Sequence, residues 1–312
     1  MPASRTFARL FVVLCAALVA ACGISASPNP SGSTGPSGSQ APSGSDGPSG
    51  SPTPSGSTGA QILRVTTEGG FIGPAANLAA VPSVSVYSDG RILTPGAVDA
   101  IYPGPLVPPV AIRAVGATGA QGIVAAIRAA GLDKASTGGP GIPGDTGTTV
   151  FAVTLDGSTT TTRIALGGGA PGHGGPGGPG GPAASSDPAT AAARDLLARL
   201  TDPSDTWGAA SAAQTTLVPA GYLVYVAPGA PSDQTVPQAP VAWPLATPLS
   251  TFGVPAVPDR GIAGLRQGAV LGADVATLAP VLSRATSITP FTSGGSSFTL
   301  YVRPLLPDEV PA

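Results

Sequence analysis

A lipobox near the start of the chain limits what the rest of the sequence can fold into. Val-Ala-Ala-Cys at Val19–Cys22 follows an apolar run, Leu10–Leu18, and that run follows Arg5 and Arg9. This order of basic, apolar and small residues predicts a secretory leader. Its apolar part is shorter than the roughly 20 residues of a permanent membrane helix. Because signal peptidase II cleaves before such a cysteine, we expect lipidation at Cys22; cleavage by the general signal peptidase is the alternative.

Cysteine usage excludes several kinds of site downstream of the leader. The chain has two cysteines, of which Cys15 lies in the leader and Cys22 is the expected lipid site. The exported part would therefore have no disulfide, no Cys-ligated metal and no thiol nucleophile. We expect it to be anchored by its lipid to the outer face of a bacterial plasma membrane and to be stabilised by packing.

Residues 22–60 are rich in Ser, Pro and Gly. Five hexapeptides between Pro30 and Gly59 each begin with Pro-Ser-Gly-Ser. Six residues of this composition cannot bury a core, so the segment predicts a disordered tether rather than stacked repeats. A glycosylated stalk, or a ligand for another protein, is the alternative interpretation.

The rest of the chain predicts an α+β fold with antiparallel sheets and about three helices. Strand, helix and strand follow one another over 110–155 and again over 268–303, so two related lobes are one interpretation. The predicted organisation is a lipoprotein signal peptide at 1–21, the tether at 22–60, an α+β lobe at 61–166, a Gly/Pro-rich flexible linker at 167–186 and an α+β lobe at 187–312. The predicted strands are 61–66, 83–88, 91–94, 110–115, 149–155, 162–166, 222–226, 269–271 and 297–303.

The dipeptide Asp89-Gly90 is the clearest hairpin signal. It suits a two-residue type I′ turn, which is typical of tightly connected antiparallel strands. Such a turn sets Val86 opposite Leu93. It also sets Tyr87 opposite Ile92, so the pairing is consistent on both faces of the hairpin.

The dipeptide Asp156-Gly157 allows two registers. A two-residue turn sets Phe151 opposite Thr162, whereas a four-residue loop sets Phe151 opposite Ile164. Because a one-residue or two-residue slip decides which side chains are buried together, we expect the four-residue loop, which pairs two apolar residues.

Three helices are predicted from apolar periodicity and end signals. Thr118 and Gln121 form a capping-box pattern at the start of the first helix. Asp187 before Pro188 is an N-cap signal for the second helix. Pro280 lies inside the third and predicts a kink or a late start. The three ranges are 118–131, 188–200 and 274–285.

The Gly/Pro run at 167–182 contains two signals that are also found in enzymes. Gly167, Gly169 and Gly172 have the spacing of a dinucleotide fingerprint, but Gly and Pro follow them and cannot form the helix that binds the pyrophosphate. His173 is the only histidine. It has no neighbouring carboxylate or thiol, so we expect it in solvent rather than in a catalytic or metal site.

Other signatures of catalysis or cofactor binding are missing from the sequence. It contains neither Gly-x-Ser-x-Gly nor Ser-x-x-Lys, and Glu68 and Glu309 are its only glutamates. Asp202 and Asp205 are too few and too close in sequence for a calcium loop. A formal net charge of −2 provides no basic patch for nucleic acid. We therefore expect no cofactor, no metal and no nucleic-acid partner, and we assign no catalytic residue.

Aromatic residues make up only 4% of the chain, so their positions are informative. Tyr102, Trp207 and Trp243 are candidate surface anchors for a sugar or a protein partner. Packing in the core is the favoured interpretation for all three, and the surface-anchor role is the alternative.

Four short motifs also point to a family: Tyr87–Arg91, Ile101–Pro105, Trp243–Leu245 and Arg303–Glu309. In these motifs the chain resembles a group of uncharacterised exported lipoproteins of high-GC Gram-positive and related bacteria. The likeness covers roughly residues 61–166 and 240–309. It implies a location and a fold and says nothing about chemistry.

The sequence leaves two main functional interpretations. The first is a non-enzymatic module that binds a cell-wall component, a small solute or a protein partner at the cell surface. The second is an exported hydrolase that acts on an envelope substrate through Asp, Glu, Ser or Arg side chains assembled by the fold. The missing catalytic motifs favour the first, and a purely structural role in the envelope is a third interpretation.

Overall fold

The structure is a computed structural model that describes residues 59–69, 77–134, 147–165, 187–210, 212–233, 236–257 and 261–311. These described residues form one compact unit. The predicted signal peptide, Cys22, nearly all of the tether, the linker at 167–186 and His173 lie outside the described residues. Within the described ranges, no helix has the length and apolar character needed to cross a membrane.

In the described residues, two sheets and three α-helices of ten or more residues make up the fold, and the predicted α+β class is confirmed. Short strands that were not predicted, because two to four residues give no readable alternation, lie at Ala213–Thr216, Val241–Ala242, Val254–Pro255 and Phe291–Ser293. In chain order the elements are β1 (Gln61–Glu68), β2 (Val84–Tyr87), β3 (Arg91–Pro95), β4 (Val110–Ala114), α1 (Gly116–Ala129), β5 (Thr148–Leu155), β6 (Ser158–Ile164), α2 (Pro188–Thr201), β7 (Ala213–Thr216), β8 (Gly221–Pro228), β9 (Val241–Ala242), β10 (Val254–Pro255), β11 (Arg266–Leu271), α3 (Ala273–Leu282), β12 (Phe291–Ser293) and β13 (Ser296–Pro304).

The first sheet has the strand order β6-β5-β1-β2-β3-β4-β7. Its core contains Ile123 and Ile127 of α1 together with Leu196 and Leu200 of α2, which pack with buried side chains of the central strands. Both α2 and β7 follow the 167–186 run in sequence. The chain therefore passes from the first sheet to the second between β7 and β8, not at that run.

The second sheet has the strand order β10-β11-β8-β13-β12-β9 and is covered on one face by α3. Leu278 and Leu282 of α3 pack with aromatic side chains from the loops and strands around them. β11 and β13 are separated by one strand, whereas β4 and β5 of the first sheet are separated by three. The two strand-helix-strand units therefore differ in the number of strands that lie between the two strands joined by the helix. Their common origin stays a prediction.

The register predicted for the β2–β3 hairpin is wrong by one residue. Val86 pairs with Ile92, so the loop has three residues instead of two. Gly90 has a φ of 84°, and its N–H donates to the Tyr87 carbonyl at 2.9 Å. A glycine in this left-handed conformation at the end of a three-residue loop is a common hairpin connection. The register places Val86 and Ile92 toward the helices and Tyr87 and Leu93 together on the opposite face.

The register predicted for the β5–β6 hairpin is also wrong. Phe151 pairs with Thr162, which is the register of the two-residue turn. Asp156 and Gly157 both have positive φ, at 51° and 78°, as a type I′ turn requires. Ile164 still packs against the first core from a position further along the strand. The turn conformation thus decided the register, and Thr162 is buried opposite Phe151 although it is polar.

Helix ends were predicted with mixed success. The N-cap of α1 is Val115, which has no side-chain capping bond, so the capping box predicted at Thr118 is wrong. The predicted stop at Gly131 is confirmed, because Gly131 has a φ of 68° and the next N–H donates back to the Ile127 carbonyl. The predicted start of α2 is confirmed as well, since Asp187 accepts a hydrogen bond from the Thr190 N–H at 3.0 Å.

Candidate functional site

The β3–β4 loop, Gly96–Pro109, connects two strands of the first sheet but is also fixed to the second. Its base is closed by a 2.8 Å hydrogen bond from the Gly96 N–H to the Pro109 carbonyl. Leu106 donates from its N–H to the Ala285 carbonyl at 3.0 Å, and its side chain is buried in the second core. The loop is therefore held by both halves of the folded unit.

The first half of this loop exposes three large apolar side chains. Val98, Ile101 and Tyr102 retain 54%, 70% and 55% of their surface. The Tyr102 hydroxyl donates to the carboxylate of Asp233, and this hydrogen bond raises the pKa of the phenol. Tyr102 is thus the one of the three proposed aromatic anchors that the structure places at the surface.

Trp243, which we considered as a surface anchor, is instead a core residue. Its ring is buried and contacts Phe252 and Phe291 edge-on, with ring centroids 5.7 and 6.5 Å away. Its indole Nε1–H donates to the Thr247 carbonyl at 2.9 Å. With its faces packed and its donor used, the ring has no surface left for a ligand.

Trp207 is likewise buried, so the favoured core interpretation is confirmed and the surface-anchor alternative is wrong. It packs in the first core, and the guanidinium of Arg199 lies 3.9 Å from the centre of its ring. Asp205 accepts hydrogen bonds from Arg199 Nε at 2.7 Å and from the Trp207 N–H at 2.8 Å. The hydrogen bond from Arg199 is the main reason that the pKa of Asp205 lies below its usual value. These groups stabilise the turn after α2.

Asp202 and Asp205, the two acidic side chains after α2, are engaged by other groups. Asp202 accepts from the Ser204 N–H at 2.8 Å and so caps its own turn, while Asp205 is paired with Arg199. In the part of the chain that the structure describes, no three His, Cys, Asp or Glu side chains are placed to hold a metal ion.

Five polar side chains form a cluster that we call the C-terminal clamp: Arg64, Tyr87, Arg303, Asp308 and Glu309. Arg303 donates to both oxygens of Glu309, at 2.5 and 3.0 Å, and Arg64 reaches the same carboxylate at 3.2 Å. Arg64 also bonds Asp308 at 2.6 Å, and the Tyr87 hydroxyl donates to Asp308 at 2.5 Å. Because β1, β2 and β13 supply these partners, the clamp fastens the end of the chain across both sheets.

The electrostatics of the clamp fit a structural role. Burial by itself would raise the pKa of Glu309, but the hydrogen bonds from Arg303 and from the Leu306 N–H hold it below its usual range. Burial raises the pKa of Tyr87 far above its ordinary value, and the bond to Asp308 adds to this. A carboxylate kept ionised by two guanidinium groups is a poor general acid or base near neutral pH.

None of the clamp residues was identified as functional from the sequence. Arg303 and Glu309 were noted as the two ends of a sequence motif. A separation of six residues does not by itself show that their side chains form a hydrogen bond. The rarity of glutamate was the available signal: of two glutamates, Glu309 is the one that is mostly buried, and burial of such a group requires a partner.

A cleft of about 440 Å³ lies at the end of β8, beside the starts of β11 and β13. It is larger than the cleft of about 180 Å³ between α3 and the Val107–Val110 segment. Its lining combines buried apolar side chains with one guanidinium and three serines, and contains Val226, Pro228, Gly229, Leu249, Ser250, Gly264, Arg266, Ser296, Ser297 and Phe298.

Comparisons with known proteins give no match to this chain, whether with protein-family models, with curated proteins or with solved structures.

Proposed function

We propose that this protein is a lipid-anchored extracytoplasmic protein whose folded part is a non-enzymatic binding module at the cell surface. The lipobox supports an anchor at Cys22, and the Ser/Pro/Gly-rich tether supports separation of the folded part from the membrane. The observation that carries the binding role is the exposed apolar surface of the β3–β4 loop.

The loop has the properties expected of a recognition surface. Val98, Ile101 and Tyr102 expose apolar area. A hydrogen bond between Gly96 and Pro109 closes the base of the segment, and one from Leu106 to Ala285 holds it to the loop after α3. Functional residues concentrate on loops that a rigid scaffold positions, and exposed tyrosines are frequent anchors in interfaces. A protein partner or a cell-wall component contacting this surface would bury the three side chains together.

The alternative of an exported hydrolase has less support. Asp308 and Glu309 are two neighbouring carboxylates that the fold clusters with two arginines, and both are engaged by Arg64 or Arg303. A hydrolase needs a carboxylate that is free to reach the substrate, or a hydroxyl with a general base beside it.

Photo-crosslinking in intact cells tests the binding role. We would place a photoreactive amino acid at Ile101 and, as a control, at Val257, which is 86% exposed at a different site. We expect an adduct from position 101 alone that is lost when Tyr102 is replaced by Ala. A discrete adduct indicates a protein partner, and a muramidase-sensitive smear indicates the cell wall. Equal labelling from both positions, or none from position 101, would count against the proposal.

Lipid labelling tests the anchor separately. Cells fed a palmitate analogue should label the wild-type protein, and Cys22→Ser should abolish the label and release the protein into the soluble fraction. Cys15→Ser is the matched control, because it removes the other cysteine and should keep both the label and the membrane association. Label that persists in Cys22→Ser would contradict the assignment.

A further inference from the structure

The cleft at the end of β8 has an apolar floor. Val226, Leu249 and Phe298 are buried and belong to the second core, and they line the cleft from beneath. Pro228 adds to the apolar lining. With a volume of about 440 Å³, the cleft falls within the roughly 300–1,000 Å³ typical of small-molecule sites.

Arg266 lines this cleft with a guanidinium that is oriented but not neutralised. Its Nε donates to the Phe252 carbonyl at 2.9 Å, and its Nη2 donates to the Gly253 carbonyl at 2.8 Å and the Thr251 carbonyl at 3.4 Å. Among the described residues, no carboxylate lies within ion-pair distance of Arg266, and Nη1 has no hydrogen-bond partner. Neutral carbonyls fix the direction of the side chain and leave its positive charge in place.

Three serines line the same cleft as Arg266. Ser250, Ser296 and Ser297 line the cleft, and in the part of the chain that the structure describes their hydroxyl groups make no hydrogen bond to the protein. A hydroxyl donates to an anion as readily as to water. An unpaired guanidinium, free hydroxyls and a buried apolar floor together favour a ligand that carries a negative group on an apolar body.

We propose that this cleft binds a small amphiphilic anion. Its carboxylate or phosphate lies on Nη1 of Arg266 and among the serine hydroxyls, and its apolar body covers Val226, Leu249 and Phe298. This site is separate from the β3–β4 loop and does not depend on the binding role proposed for that loop.

Calorimetric titration tests this assignment on the full-length chain carrying Cys22→Ser, which removes the lipid that would compete for the cleft. The probes are octanoate, octyl phosphate and octanol, which share an apolar chain and differ in head group. We expect saturable binding of at least one of the two anions and at least tenfold weaker binding of octanol. Tighter binding of octyl phosphate than of octanoate would support the site and assign it to phosphate.

Two substitutions locate the binding. Arg266→Gln removes the charge and should weaken anion binding at least tenfold. Ser250→Phe fills the cleft while leaving the three carbonyl contacts of Arg266 intact, so it decides the matter if Arg266→Gln fails to fold. Arg163→Gln, on an arginine exposed on β6, is the control and should bind as the unsubstituted protein does.

Three results would overturn the proposal. The first is an absence of saturable binding by either anion at millimolar concentration. The second is binding to a folded Arg266→Gln or Ser250→Phe protein that equals binding to the unsubstituted one. The third is octanol binding as tightly as octanoate and octyl phosphate, because the charge of Arg266 would then play no part.

Discussion

Arg303 and Arg266 both lie in the second sheet, yet their surroundings give them different roles. Arg303, on β13, has both of its Nη atoms on the carboxylate of Glu309. Arg266, on β11, is held by backbone carbonyls alone among the described residues. A carboxylate neutralises a guanidinium and ends its capacity to attract an anion, whereas carbonyls orient it and leave the charge. The difference separates a structural clamp from a candidate binding cleft.

The largest effect that this comparison predicts is on stability, at Glu309. Glu309→Gln should lower the free energy of unfolding by about 3 kcal/mol, because it leaves the mostly buried Arg303 without its counter-charge. The matched control is Glu68→Gln, whose pair with Arg163 is 54–55% exposed and should cost less than about 0.5 kcal/mol. Urea unfolding measures both changes. Equal costs for the two variants would show that the clamp is no stronger than a surface pair.

Acid should weaken the same clamp without a substitution. The pKa of Glu309 is lower in the folded protein than its value of about 4.3 in an unfolded chain. The unfolded state therefore binds the proton first, so the stability from this group is present above the unfolded pKa and is lost as pH falls through the folded pKa. The urea midpoint should drop below about pH 4, and Glu309→Gln should drop less steeply. Asp187, Asp202 and Asp205 also have lowered pKa values, so some slope should remain.

A smaller effect is expected at the other end of the clamp. Tyr87→Phe removes the hydroxyl that donates to Asp308 and should cost about 1.5 kcal/mol, the usual contribution of a hydrogen bond to a charged group. Arg64 still pairs with Asp308 in this variant, so the loss should stay well below that of Glu309→Gln. A loss as large as that of Glu309→Gln would mean that Tyr87, rather than the ion pairs, holds the clamp.

Among the clamp and cleft variants, the smallest effect on stability is predicted at the cleft. Arg266→Gln should cost only about 1 kcal/mol, because the carbonyls it releases at Thr251 and Gly253 lie at the surface and can bind water. Thermal or urea unfolding of this variant beside Glu309→Gln measures the contrast directly. A cost near 3 kcal/mol would give Arg266 a structural role like that of Arg303 and weaken the case for a ligand.

Helix ends that depend on a few neighbouring residues were predicted well. Asp187 before Pro188 started α2, and Gly131 ended α1, because capping depends on a few neighbouring atoms. Thr118 looked like a cap but lies inside α1, because the chain leaves β4 and turns directly into the helix at Gly116. Gly90 lies so close to Gly116 that a Cβ on Gly90 would meet the Gly116 carbonyl oxygen. This contact between the hairpin loop and the first residue of α1 accompanies the start of the helix at Gly116.

Hairpin registers were predicted less well, for a physical reason. At Asp156-Gly157 the two positive φ values fixed a tight turn, and Thr162 accepted burial opposite Phe151. At Gly90 the register followed from burial on both faces of β2, one against the helices and one against Leu306 near the end of the chain. The predicted pairing was consistent on both faces of the hairpin, but it could not include the helices and Leu306, which come from distant parts of the sequence.

The sequence by itself determined the α+β class, the main strands, the start of α2 and the expectation of a lipid anchor, since each depends on neighbouring residues or on composition. The tertiary structure alone decided that Trp207 and Trp243 are buried and Tyr102 exposed, that Arg303 meets Glu309, and that Arg266 meets no carboxylate among the described residues. These are long-range outcomes: an aromatic ring or a guanidinium has the same local sequence signal whether packing covers it or leaves it open to a ligand.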